Sequence, residues 1–225
     1  GEILYNVPNH LFRLKKDPAA FLTEQRFDFL DGSRVSIQYV PHHLAHASAF
    51  FFSPFDHAAI LTIDAFGERQ CVLFAVGEGS RLRTVWSQDF PHSLGAFYST
   101  MTEYLGFRAQ GDEWKVMGAA PYGDPERFEE KLRRLIHWKD DGGFELDLSY
   151  FHHYWFPRRY RFAPKMTELL GIPPNHSEKP LTQDYFDLAA AAQRFLEEAY
   201  FRLLGDLYRR TGIDRLVLAG GVAFN

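Results

Sequence analysis

Two histidines spaced four residues apart carry the clearest chemical signal in the sequence. His42 and His46 lie within residues 41–50, where several alanines favour a closely packed helix. Residues four apart project from one face of a helix, so both imidazoles would point the same way. Neutral imidazoles, joined by a carboxylate, form a ligand set that divalent transition metals accept. The spacing therefore predicts a metal site.

Asp64 is the candidate for the third ligand. It follows the apolar run 60–63, which is typical of a buried strand, and ligands of open α/β sheets bind at the carboxyl ends of strands. A structural interpretation competes with this one: His42 or His43 caps the helix, and His46 is a hydrogen-bonded core residue. Spacing alone leaves both open, because histidine pairs at this spacing also occur without a metal.

Composition and charge exclude several classes of protein. With 225 residues, of which 46% are hydrophobic, the chain can bury the core of one large domain or two small lobes. The net charge is −4 and the basic residues are dispersed, which argues against a nucleic-acid partner. A single cysteine, Cys71, excludes an internal disulfide, and no apolar run reaches the roughly 18 residues that span a membrane. We therefore expect a cytoplasmic protein.

The elements that must position these residues follow from the hydrophobic pattern. Strands predicted over 35–40 and 60–63 flank the histidine helix, and further strands over 71–76 and 82–88 complete a three-stranded meander. The remaining pattern predicts a helix over 19–27, a helix over 94–105, a site-bearing loop over 111–123, an amphipathic helix over 125–138, aromatic-rich strands over 142–162, a core helix over 185–210 and a short buried strand over 216–219.

Two backbone features offer places for an anionic or nucleotide ligand. Ser93, Leu94 and Gly95 begin a predicted helix, whose free N–H groups can receive a phosphate or carboxylate. Ordinary capping by Ser93 explains the same residues. Gly220 and Gly221 follow a predicted strand and allow a ligand close to the backbone, although such turns are also common without a ligand.

A set of short motifs, ordered from about residue 35 to the end, carries a family resemblance. The motifs are PHHLAHA (41–47), SPF (53–55), LTID (61–64), SLG (93–95), KVMG (115–118), APYG (120–123) and LAGGVA (218–223), followed by Asn225. They resemble those of the bacterial O-carbamoyltransferases, the group that contains the nodulation-factor, cephem and aminoglycoside carbamoyltransferases.

The resemblance implies a fold and a set of site residues. The fold is an α/β domain of the actin/sugar-kinase-like (ASKHA, ribonuclease-H-like) class, present here as residues 1–225 and incomplete at both ends. His42, His46 and Asp64 would be the catalytic metal ligands, for iron or alternatively zinc. The residues that the resemblance assigns to the nucleotide are Ser93, Leu94, Gly95, Gly220, Gly221 and Asn225.

The implied reaction is transfer of a carbamoyl group to a hydroxyl of a small molecule, such as a sugar, an antibiotic or a Nod-factor-like acceptor. The donor would be carbamoyl-adenylate, made from carbamoyl phosphate and ATP by a YrdC-like domain that is C-terminal in the family and absent from this chain. Threonylcarbamoyl transfer to tRNA is the alternative, but no basic footprint favours it. A sugar kinase of the same fold is a further alternative, as is a non-catalytic remnant that binds a nucleotide or a partner. Oligomeric state stays open.

The sequence also departs from the family pattern. In the family a last metal-binding aspartate follows the double-glycine segment, and a hairpin with its own His-Asp motif opens the domain; neither occurs in these residues. Ala65 follows Asp64 where the family usually has glycine. We therefore expect the 225 residues alone to bind metal weakly and to be inactive.

Overall fold

The computed structural model describes residues 25–28, 34–37, 40–154, 159–176 and 179–225. Its strands are β1 (Gln25–Asp28), β2 (Arg34–Ile37), β3 (His57–Ile63), β4 (Gln70–Glu78), β5 (Arg81–Asp89), β6 (Ile136–Trp138), β7 (Phe144–Leu146) and β8 (Leu216–Ala219). Its helices are α1 (His42–Ala47), α2 (Leu94–Tyr104), α3 (Glu113–Ala119), α4 (Glu126–Arg133), α5 (Pro164–Leu170) and α6 (Gln183–Thr211).

A four-stranded mixed sheet forms the centre of the fold, in the order β5-β4-β3-β8. Strands β3, β4 and β5 pair antiparallel, which confirms the predicted meander. Strand β8 pairs parallel with β3, with Leu61 opposite Leu218. The result is a mixed α/β architecture, which confirms the α/β class in general terms.

Strand β3 is almost continuously apolar because both of its faces are covered. On one face, Leu61 and Ile63 join a large core formed with helices α2, α3, α4, α5 and α6. On the other face, Ala58 and Ile60 join a small cluster with Ala47 at the end of α1. Successive residues of the strand thus alternate between two clusters of very different size.

Helix α6 spans the large core, as the pattern over 185–210 predicts. It has 29 residues, buries Leu188, Phe195 and Leu203, and ends at Gly212 in the left-handed conformation at φ 65°. A left-handed glycine at this position is the usual way to end a helix. Among the described residues, no helix combines the length and apolar character needed to cross a membrane.

Several predicted elements differ from the structure. The segment 111–123 is mainly helix α3 and a following helical turn, Ala120–Tyr122, because Val116 and Ala119 are drawn into the large core. The predicted helix over 125–138 stops at Arg133, since residues 136–138 form β6 and pair with β7. Here tertiary pairing overrides a helical pattern.

One predicted helix is wrong, and two predicted strand regions are seen in part. Residues 25–27 of the predicted helix over 19–27 belong to β1, and the rest of that helix lies outside the described residues. The predicted strand over 35–40 is seen as β2, with 38–39 outside the described residues. Of the strands predicted over 142–162, β7 and an isolated bridge between Phe151 and Phe162 are seen.

The buried strand predicted over 216–219 is only half correct. Strand β8 forms there, but Val217 alone is buried, while Leu216 and Leu218 are exposed. Within the described part of the chain, β8 is an edge of the sheet, so nothing described covers the outer side of these leucines.

Candidate metal centre

Helix α1 is anchored at its first residue by the turn that follows β3. The backbone N–H of His42 donates to both carboxylate oxygens of Glu68, at 3.0 and 3.2 Å. A Cβ on Gly67 would lie 2.8 Å from Cβ of His42, so only glycine allows this close approach. Because Glu68 takes the first N–H group, neither His42 nor His43 needs to cap the helix.

Three side-chain atoms converge at the carboxyl end of β3. Oδ2 of Asp64 lies 3.1 Å from Nε2 of His42 and 3.0 Å from Nε2 of His46, and the two nitrogens are 3.0 Å apart. Hydrogen bonds cannot hold all three edges of this triangle at once, since an ionised carboxylate has no proton and each Nε2 has at most one. Converging lone pairs are what a cation requires.

The separations also fit a metal ion. Three ligands that meet at right angles with bonds of roughly 2.1 Å lie roughly 3.0 Å apart. The side chains of His42, His46 and Asp64 are 38%, 32% and 24% exposed, which leaves room for further ligands. These residues can therefore hold a divalent metal, and two imidazoles with one carboxylate suit iron(II) and zinc alike. That they do so stays a prediction.

The second oxygen of Asp64 is held by the backbone. Oδ1 accepts a hydrogen bond from the N–H of Ala65 at 2.7 Å, and the N–H of Gly221 also donates to the carboxylate. Burial by itself would raise the pKa of Asp64, but hydrogen bonds from His42, Ala65, His46 and Gly221 outweigh it and lower the pKa. The carboxylate is thus ionised and oriented, with Oδ2 turned to the histidines.

His43 links helix α1 to strand β3 next to the candidate centre. It is 1% exposed, and its Nδ1 lies 2.6 Å from Oγ1 of Thr62 on β3. Burial, and next the proximity of His42, lowers the pKa of His43 to about 4, so its ring is neutral. Its Nε2 has no hydrogen-bond partner within the described ranges. The sequence offers His43 only as a candidate helix cap, because nothing local reveals its contact with Thr62.

Ser93 serves as the N-cap of α2, the ordinary explanation offered by the sequence. Its buried Oγ accepts from the N–H of Ala96 at 3.1 Å and donates to the carbonyl oxygen of Asp64 at 3.2 Å. The side chain of Leu94 is fully buried. A Cβ on Gly95 would lie 2.7 Å from Cα of Ala65, so this glycine lets α2 rest on the turn after β3. Contact of these residues with a nucleotide stays a prediction.

The double glycine packs against the same strand end. Gly220 has φ 96°, and a Cβ there would come within 2.2 Å of the carbonyl oxygen of Ile63. A Cβ on Gly221 would lie 3.0 Å from Oδ1 of Asp64. Packing on Ile63 therefore requires glycine at position 220, and a Cβ at position 221 would make a tight contact with Asp64, whether or not a ligand approaches.

Asn225 is held against helix α6 by a pair of amide hydrogen bonds. Its Oδ1 accepts from Nε2 of Gln193 at 2.6 Å, and its Nδ2 donates to Oε1 of Gln193 at 3.3 Å. The hydroxyl of Tyr98 donates to the same Oε1 at 2.6 Å. The predicted nucleotide residue thus has a fixed orientation.

A pocket of about 530 Å³ opens beside the centre. The sequence-predicted residues that line it are His42, Asp64, Gly95, Gly221 and Asn225, whereas His46, Ser93, Leu94 and Gly220 do not. The lining residues that sequence reasoning missed are chiefly Phe66, Gln110, Glu113, Trp114, Met117 and Phe224. Three of them belong to the segment 111–123, which was expected to bear a site, although as a loop.

Comparison with known proteins gives one family. The family model described as carbamoyltransferase N-terminus matches residues 6–225. The chain is 39% identical to nodulation protein NolNO of Sinorhizobium fredii over 197 residues, which is 87% of this chain and 27% of that protein. It is 37% identical to nodulation protein NolO of Bradyrhizobium diazoefficiens over 185 residues, covering 82% of this chain and 31% of the relative.

An uncharacterised protein of Synechocystis sp. is 42% identical over 185 residues, covering 82% of this chain and 30% of that protein. The chain therefore spans between 27% and 31% of the length of these three curated relatives.

Proposed function

Because this chain belongs to the carbamoyltransferase family, whose N-terminal region it matches, we propose that it is the metal-holding transfer domain of an O-carbamoyltransferase, with an ASKHA fold. The supporting observation is the convergence of His42, His46 and Asp64 beside a pocket of about 530 Å³ that His42 and Asp64 line. The domain moves a carbamoyl group from carbamoyl-adenylate to a hydroxyl of a small molecule.

The bond changes of this reaction are simple. The acceptor oxygen attacks the carbamoyl carbon, the bond from that carbon to the phosphate oxygen breaks, and AMP leaves with the electron pair while the hydroxyl proton is released. A divalent ion held by His42, His46 and Asp64 would supply a Lewis acid at the carbamoyl oxygen. Asp64 contributes an ionised ligand, since its pKa is lowered, and its Oδ1 is fixed by backbone N–H groups.

The pocket supplies the remaining tasks of binding and orientation. Gly95, Gly221 and Asn225 line it, and we assign them to the adenylate. Three further residues do not line the pocket. Ser93 caps α2, Gly220 packs on β3, and Leu94 is buried. The exposed rings of Phe66, Trp114 and Phe224 offer faces on which a base or an apolar part of the acceptor can stack.

The donor would be made elsewhere in a longer protein. We propose that a YrdC-like domain forms carbamoyl-adenylate from carbamoyl phosphate and ATP and passes it to this pocket. The proposal agrees with the length of the relatives, of which this chain covers less than a third.

The test uses a protein that joins this chain to the remaining length found in its relatives. Supplied with ATP, carbamoyl phosphate and a panel of sugars, aminoglycosides and cephems, it should yield a carbamoylated product by mass spectrometry. His46→Ala should abolish the product, while His57→Ala, on an exposed histidine at the start of β3, should leave it unchanged. Undiminished transfer by His46→Ala would refute the assignment of the centre.

A further inference from the structure

Gln110 has an unfavourable backbone conformation beside the candidate site. Its φ is 63°, and every other described residue with positive φ is a glycine. A side chain with a Cβ is disfavoured in this region, where glycine and asparagine are the common occupants. Such conformations persist only when their surroundings enforce them, and they are concentrated at functional sites.

A carboxylate enforces the conformation. Oε1 of Glu113 accepts from the backbone N–H of Gln110 at 2.6 Å and from Oγ of Ser99 on α2 at 2.6 Å. Two residues before Gln110, the N–H of Arg108 donates to Oδ2 of Asp112 at 3.1 Å. These contacts fix the backbone of the turn, and they do not involve the side chain of Gln110. Its amide makes no hydrogen bond to any residue that the structure describes.

Gln110 lies where its amide can reach a ligand at the candidate site. Gln110 lines the 530 Å³ pocket and also a smaller pocket next to it, together with Ala65 and Phe66. Ala65 and Phe66 directly follow Asp64, so Gln110 lies alongside the turn that carries the candidate metal ligand. No lysine or arginine is among the described residues that line the larger pocket, and Arg161 lines only the smaller one. A neutral amide there suits a neutral polar group better than a phosphate.

We propose that Gln110 recognises the carbamoyl group of the donor, an assignment that rests on the proposed function. A carbamoyl group and a primary amide both present an NH₂ and a carbonyl oxygen side by side. The two can pair through two antiparallel hydrogen bonds, with Oε1 accepting from the carbamoyl NH₂ and Nε2 donating to the carbamoyl oxygen. The contact with Glu113 fixes the backbone from which the amide extends, so binding has to order only the side chain.

Two variants separate the amide from the backbone. Gln110→Gly and Gln110→Ala both remove the amide, but only glycine accepts φ 63° without strain. The alanine variant should unfold at a lower temperature than the glycine variant. If the amide binds the ligand, both variants should nevertheless lose affinity by the same factor, roughly tenfold for two hydrogen bonds.

The ligands are AMP and a non-hydrolysable carbamoyl-adenylate in which a sulfamate replaces the phosphate ester, measured by calorimetry on the full-length protein. We expect both variants to bind the analogue roughly tenfold more weakly and to bind AMP like the wild type. Unchanged affinity for the analogue would overturn the role of Gln110 and leave the proposed function intact. An equal loss for AMP would also overturn it, because the amide would then contact the nucleotide. A wild-type protein that binds neither ligand would overturn both proposals.

Discussion

The two faces of strand β3 differ in the size of the apolar cluster that covers each of them. One face, through Leu61 and Ile63, rests on the large core, which draws on five helices. The other face, through Ala58 and Ile60, meets only the small cluster under α1. Yet α1 carries the two histidines of the candidate metal centre, so this centre lies on the face with the smaller cluster, called the thin face below.

Asp64 explains how one strand serves both purposes. It is the first residue beyond β3, and the turn that follows it is packed by Gly95 of α2 from one side and approached by His42 of α1 from the other. Packing of Gly95 on this turn fixes the backbone that carries the carboxylate, while the side chains of His42 and His46 stay 38% and 32% exposed. A rigid scaffold that carries an accessible site is a common division of labour in proteins.

Phe97→Ala should have the largest effect on stability. Phe97 is fully buried in the large core, with its ring centroid 4.4 Å from that of Phe195. Removing the ring should lower the free energy of unfolding by about 5 kcal/mol, the upper end for such cavities, as measured by urea denaturation.

The matched change on the thin face is Phe50→Ala, in the small cluster. The small cluster has far fewer buried members than the large core, so the loss should be nearer about 3 kcal/mol. Equal losses would contradict the difference between the two faces.

Among changes on the thin face, His46→Ala should have the largest effect. That effect should be on metal binding rather than on stability. Loss of a ligand should weaken binding of zinc or iron(II) by more than about 100-fold in calorimetric titration. The free energy of unfolding without metal should change by no more than about 0.5 kcal/mol, because the side chain is partly exposed. His57→Ala is the control, and metal content that persists in His46→Ala would contradict the assignment.

Several elements of this arrangement could be predicted from the sequence because their signals are local. The meander, α2 and α6 each show a complete hydrophobic period, and Ser93 and Gly212 mark ends of helices. The convergence of His42, His46 and Asp64 likewise follows from a four-residue spacing and a strand end. In these cases the local pattern and the packing agree.

The remaining features depend on contacts that the sequence does not show. Glu68 anchors α1 from 26 residues away, and His43 meets Thr62 across the sheet. The glycines in segment 111–123 suggested a loop, whereas burial of Val116 makes it a helix. The strained turn at Gln110 results from the side chain of Glu113, and no residue type predicts it.

Acid should destabilise the protein partly through His153, which adjoins the large core. Burial, and to a lesser degree the nearby Arg161 and His92, lowers its pKa to about 4 from the ordinary 6.5, although a hydrogen bond to the carbonyl oxygen of Pro91 acts the other way. Between these two pKa values, His153 is protonated in the unfolded chain but neutral in the folded protein. The free energy of unfolding therefore falls as the pH drops from about 6.5 towards 4.

His153→Phe should reduce this acid sensitivity. Between about pH 7 and pH 5, the wild type should lose roughly 2 kcal/mol more of its free energy of unfolding than the variant does. Phenylalanine preserves the ring contacts with Phe90 and Phe151. Parallel pH dependences for the two proteins, measured by urea denaturation, would show that His153 does not titrate in this way.

The smallest effect should come from Phe52→Ser, two residues beyond the buried Phe50. The side chain of Phe52 is 90% exposed, so folding buries little of its apolar surface. The free energy of unfolding should change by no more than about 0.5 kcal/mol, and metal binding at His42 and His46 should persist. If Phe52→Ser instead cost as much as Phe50→Ala, the face that carries α1 would be packed more fully than these residues indicate. The contrast between the two faces of β3 would then no longer explain why the candidate metal centre is accessible.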